Sequence, residues 1–71
     1  MIDKEELISK LAENIRMERL RRRYSQDKLS EMAGISQKYL NLIETQKVNP
    51  SIYVVIRLCD ALKVDIKTLL Q

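Results

Sequence analysis

An all-α domain of five short helices is the fold this 71-residue sequence predicts, and three observations carry the prediction. Apolar residues recur three and four positions apart through most of the chain, the spacing that lines one face of a helix. Ser25, Ser36, Ser51 and Asp65 each precede such a run, where a side-chain oxygen can accept from the free amides of a first helical turn. The only glycine, Gly34, and the only proline, Pro50, fall between runs, where a left-handed cap or a stop is wanted. Without a repeat, low-complexity segment or linker, residues 1–71 read as a single domain. A chain this short buries only about 60% of its unfolded surface, so stability is limited unless it oligomerises.

The first helix is expected over about Lys4–Arg22. Leu7, Ile8, Leu11, Ile15 and, at its edge, Leu20 form an apolar stripe. Extending the stripe from Leu11 and Ile15 lands on Arg19, a charged residue at a core-facing position. A guanidinium buried there needs a fixed anionic partner; otherwise it snorkels to solvent or meets an anion directly. Glu44, one step past the apolar Ile43, is the candidate partner. Arg21, Arg22 and Arg23 close the helix, where cations suit the negative end of its dipole.

Two short helices follow within Ser25–Thr45. Ser25 caps the first, Leu29 and Ala33 face the core, and Gly34 ends it. Ile35 re-enters the core, Ser36 caps the next helix, and Leu40 and Ile43 are its buried stripe. The small Ser30 permits close approach and the turn glycine permits a steep crossing, which together describe a helix-turn-helix. After the loop Gln46–Pro50, a fourth helix is expected over about Ile52–Lys63, with Ile52, Val55, Leu58, Cys59 and Leu62 buried. Val64 leads to a final helix capped by Asp65, with Leu69 and Leu70 packing back.

Composition excludes several chemistries. With no histidine and one cysteine, no Ser-His-Asp or Cys-His nucleophile and no ordinary structural zinc site can be assembled. One glycine excludes a glycine-rich phosphate loop. The expectation is therefore no catalytic residues, no metal, no cofactor and no enzyme. Cys59 reads as a small core residue, and a lone thiol fits the reducing cytoplasm. The start Met1–Glu6 is charged where a signal peptide would be apolar, and the longest apolar run, residues 52–56, is too short to span a membrane. The net charge is +3, unevenly spread. Residues 1–15 carry −2, from Lys4 and Lys10 against Asp3, Glu5, Glu6 and Glu13. Residues 16–28 carry +4, with six Arg and Lys against Glu18 and Asp27. That run is either a phosphate-facing surface or a solvated helix face.

With SQ at 25–26, AGIS at 33–36, YLNLIE at 39–44 and NPS at 49–51, the chain resembles the phage repressor and Cro-type family, often called XRE-like. The pattern spans about Leu11 to Leu70. The resemblance implies a compact five-helix domain of the repressor/Cro type, with helices two and three as the helix-turn-helix. It also implies a buried Arg19–Glu44 salt bridge and a phosphate contact from Gln26. Three positions depart from the family pattern. Arg23 and Gln46 stand where glycine is common, so a differently built turn is expected after helix one and a longer or strained cap after helix three. Leu42 stands where a polar residue is usual.

Double-stranded DNA is the partner the resemblance implies, with residues 36–45 as the recognition helix in the major groove. Leu40 and Ile43 point inward, which leaves Gln37, Lys38, Asn41, Leu42 and Thr45 outward. Gln37 suits an adenine edge, Lys38 a guanine edge, and Leu42 either a thymine methyl or nothing beyond solvent. Gln26, Ser36, Thr45, Lys47 and at least one of Arg22 and Arg23 are candidates for the DNA backbone. Tyr39 belongs with them or packs its ring on helix two. Tyr53, Val54 and Ile56 lie off the buried stripe of helix four and, with Leu70, are the candidate homodimer interface. The function expected is a transcriptional regulator, a repressor or autoregulator, binding a near-palindromic operator as a homodimer, with no small-molecule effector domain. A protein-interaction module that keeps the fold without reading DNA is the alternative, favoured by Leu42 and the apolar fourth helix.

Overall fold

Asp3 accepts the Glu5 amide at 3.3 Å and opens α1, Lys4–Arg21, with Glu5 and Glu6 at the positive end of the helix dipole. The computed structural model describes residues 3–71, so Met1 and Ile2, and with them the start of the expected 1–71 domain, lie outside the described residues. Four further helices follow: α2 Gln26–Ala33, α3 Gln37–Glu44, α4 Ile52–Leu62 and α5 Ile66–Leu70. Ser25, Ser36 and Ser51 cap α2, α3 and α4 by accepting from Lys28, Tyr39 and Val54 amides at 3.0, 3.0 and 3.2 Å. Asp65 holds the corresponding position before α5 but makes no side-chain cap.

Seven large side chains are almost wholly buried: Ile15, Leu29, Leu40, Ile43, Leu58, Leu62 and Leu69. Every helix supplies at least one, so each is anchored by about 1.5–3 kcal/mol per such residue. α1 packs on α5 and α3, and α2 packs on α3 and α4. Asn14 Nδ2 also donates to Leu69 O at 2.9 Å, tying the middle of α1 to the end of α5. The molecule measures 34 × 22 × 20 Å. Among the described residues no helix is long and apolar enough to cross a membrane.

Among the described residues, four have left-handed backbone: Arg23 (φ 58°), Gly34 (φ 72°), Gln46 (φ 63°) and Lys63 (φ 57°). Arg23 and Gln46 therefore adopt the conformation that favours glycine while lacking it. The turns are not rebuilt; they carry steric strain of the kind that Cβ imposes in this region. Lys63 likewise caps α4 from outside, so that helix ends one residue earlier than its spacing predicts.

Three apolar residues fall elsewhere than periodicity predicts. Ile52, at the first turn of α4, is 63% exposed. It lines an open apolar groove of about 240 Å³ with Leu7, Pro50, Ile66 and Leu70. Leu20 is 46% exposed on the outer side of α1. Val54 is half-buried and packs against the core cluster.

Candidate nucleic-acid interface

The outer side of the helix-turn-helix rests on one polar network. Arg19 Nε and Nη2 donate to Glu44 Oε2 and Oε1 at 2.8 and 3.0 Å, and Nη1 donates to Tyr24 O at 2.9 Å. Both residues are buried, so the bidentate geometry is what offsets their desolvation. Gln26 Nε2 donates to the same Glu44 Oε1 at 3.1 Å, and Asn41 Nδ2 reaches Gln26 Oε1 at 3.4 Å. The chain of contacts runs from the end of α1, through the end of α3, to the first residue of α2 and back to the exposed face of α3. No buried side-chain nitrogen or oxygen among the described residues is left without a partner.

Gln37, Lys38 and Asn41 are exposed on α3, and Gln37 and Lys38 stand at its open N-terminal end. Ser36 and Thr45 flank them, also exposed. The Thr45 hydroxyl turns back to donate to Asn41 O at 2.7 Å. Leu42 is half-buried, not fully outward as its place opposite Leu40 and Ile43 predicts. Its neighbours one turn away, Lys38 and Thr45, share its face, and the chain returns past it with the Lys47 amide donating to Leu42 O at 2.9 Å. Tyr39 is half-buried and packs against the core cluster. Lys47 is exposed in the loop after α3.

Arg22 and Arg23 part company. Arg22 Nη1 donates to Glu18 Oε1 at 2.6 Å and to Glu18 O at 2.9 Å, so Arg22 is held by its own helix. Arg21 Nη1 approaches the other Glu18 oxygen at 3.1 Å. Arg23, past the end of α1, is exposed and makes no ion pair among the described residues. Of the two, Arg23 is the one placed to meet an anion.

This geometry is a helix with an exposed polar face, seated on a second helix by a glycine turn. A helix-turn-helix family model, HTH_3, matches residues 15–69. The chain belongs to this family, the XRE-like Cro/C1-type helix-turn-helix group of DNA-binding transcriptional regulators. Solved structures agree on the fold. The restriction–modification controller protein C.AhdI from Aeromonas hydrophila is 24% identical, with a TM-score of 0.84 over 87% of this chain and 94% of that one. A hypothetical transcription factor, NHTF, from Neisseria is 27% identical, with a TM-score of 0.89 over 100% of this chain and 82% of its own. An HTH_3 family transcriptional regulator from Vibrio cholerae is 21% identical at a TM-score of 0.89, and this chain spans 94% of its own length but only 38% of that protein's. A search of curated proteins finds no match.

Two further charged residues of this HTH_3 domain make contacts that the charge tally along the chain does not assign. Glu18 reads as a solvated charge on α1 yet is buried and gathers Arg21 and Arg22. Arg57 reads as a surface residue of α4 yet bonds to the end of α2 at Ala33 O, 2.7 Å away. The Glu18 pairs lie one turn apart on a single helix, whereas the Arg57 contact crosses from α4 to α2, which helical periodicity does not encode.

Proposed function

We propose that this chain binds a near-palindromic duplex operator as a homodimer and acts as a repressor or autoregulator in the cytoplasm. The carrying observation is the exposed row Gln37, Lys38 and Asn41 on a helix whose back is held by the Arg19–Glu44–Gln26 network. A helix of this size enters the major groove, where side-chain amides and cations distinguish base edges. Gln37, Lys38 and Asn41 are assigned to base reading, with Leu42 supplying apolar contact from its half-covered position. Gln26, Ser36, Tyr39, Thr45, Lys47 and Arg23 are assigned to the DNA backbone. Contacts of that kind set register and affinity without reading sequence. Arg22 is removed from that set because Glu18 holds it, and Tyr39 stays in it through its hydroxyl while its ring packs against the core.

Dimerisation is assigned to the exposed side of α4 and α5. Tyr53 and Ile56 are 63% and 54% exposed, and Ile52, Ile66 and Leu70 extend the apolar surface along the groove beside α1. Val54 leaves the interface for the core, and Ile52 takes its place. A patch of this kind on a small domain marks an interaction site, and two-fold pairing would set two reading helices one DNA turn apart. Repression follows most simply, since occluding polymerase requires binding alone.

Selection of bound sequences from random duplex DNA tests the proposal. The expected outcome is a pair of inverted half-sites centred about 34–36 Å apart. Recovery of no enriched sequence would favour the interaction-module alternative.

A further inference from the structure

Arg57 of α4 holds a place that neither the reading surface nor the apolar face explains. Its Nε donates to Ala33 O at 2.7 Å, the last carbonyl of α2. Its Nη1 donates to the Tyr53 hydroxyl at 2.6 Å, one turn earlier on α4, and its guanidinium carbon lies 5.4 Å from the Tyr53 ring centre. The remaining nitrogen, Nη2, rests against Gly34 so closely that a Cβ on Gly34 would collide with it. One planar group thus touches the end of α2, the turn glycine and a tyrosine on the far side.

The chemistry of a helix end explains why the contact matters. The last carbonyls of α2 have no partner within the helix, and its last turn carries no basic residue to meet the negative end of the dipole. The turn itself satisfies two carbonyls, through Gly34 N–H to Glu31 O at 3.2 Å and Ile35 N–H to Ser30 O at 3.0 Å. Arg57 satisfies Ala33 O and brings the missing cation from another helix. Gly34 is glycine for its φ of 72°, and a Cβ there would in addition push the end of the Arg57 guanidinium aside.

We propose that Arg57 is a positioning residue for DNA reading. It fixes the α2–α3 turn against α4 from behind, and Tyr53 holds its guanidinium in the plane that the turn requires. This rests on the DNA-binding reading above and adds to it a residue that touches no base. The role needs a rigid fork of donors, which lysine cannot supply. A phosphate contact, the competing role for an exposed arginine, needs only a positive charge.

The test compares the full chain with Arg57→Lys, Arg57→Met and Tyr53→Phe on the selected site and on an unrelated duplex across a salt series. The expected result is that Arg57→Lys and Arg57→Met lose about tenfold or more affinity on the selected site. On unrelated duplex, Arg57→Lys should keep the wild-type affinity and salt slope. Tyr53→Phe removes one exposed hydroxyl and leaves the fold intact, and it should shift the Gly34 and Ile35 amide resonances in the free protein. Arg57→Lys behaving as wild type on the selected site would overturn the proposal. So would equal losses on both duplexes with a salt slope reduced by about one in Arg57→Met, which is the mark of a phosphate contact. Unmoved Gly34 and Ile35 resonances in Tyr53→Phe would overturn Tyr53's part. If the wild type binds no duplex, the DNA-binding reading itself falls and takes this role with it.

Discussion

Arg19 and Glu44 face each other across the junction of α1 and α3 with two hydrogen bonds of 2.8 and 3.0 Å, both side chains withdrawn from solvent. Removing one partner strands the other as an unpaired buried charge, which costs more than the pair contributes. Glu44→Ala should therefore destabilise the domain by about 3–5 kcal/mol, read as a lowered denaturant midpoint. It should also release Gln26, whose amide shares the same carboxylate. An unchanged midpoint would mean that Arg19 finds equivalent partners elsewhere.

Base reading and backbone gripping separate by experiment. Gln37→Ala or Lys38→Ala should cost about 1–3 kcal/mol on the selected site and little on random duplex. Gln26→Ala should weaken binding to both by similar factors, measured by titration at fixed salt. A loss for Gln26→Ala confined to the selected site would move that residue among the base readers.

The left-handed turns give a prediction about stability alone. Lys63→Gly removes a Cβ from a backbone that disfavours one, at a position away from the reading helix. It should raise stability by about 0.5–1 kcal/mol in thermal or chemical unfolding. Gly34→Ala should do the reverse by more than about 1 kcal/mol, since it meets both the left-handed backbone and Arg57. Equal effects in the two variants would show that Arg57 yields freely.

Burial, and secondarily the charge of Asp65, pushes the Cys59 thiol above its ordinary range. The folded state then holds the proton more tightly than the unfolded one. The resulting stability is present at neutral pH and is lost as pH rises through the raised pKa. Native Cys59 should react with iodoacetamide at neutral pH only at the rate of unfolding, and the melting temperature should fall on the alkaline side. Rapid alkylation of the folded protein would contradict this burial.

Much of the fold is legible in the sequence because it rests on local rules. Ser25, Ser36 and Ser51 act as caps at the positions their neighbours predict, and the stripes of α1 through α4 place Ile15, Leu29, Leu40, Ile43 and Leu58 inward. The misplaced residues fail for reasons periodicity cannot carry. Ile52 sits on the right stripe of α4 but on an open groove between α1 and α5 that leaves it exposed. Leu42 sits opposite the core yet is half-buried, which the helical period does not predict. Arg57 is set by a partner on another helix, and although Arg22 and Glu18 pair one turn apart on α1, a charge count along the chain does not distinguish a held guanidinium from a free one. Arg23 and Gln46 show the converse: the tertiary fold imposes the left-handed turn even where the residue resists it.

The salt dependence of duplex binding by the wild-type chain tests the central claim most directly. A dimer that neutralises six or more phosphates should lose about a thousandfold in affinity between 50 and 200 mM salt. Affinity that stays flat across that range would contradict a phosphate-gripping, base-reading surface.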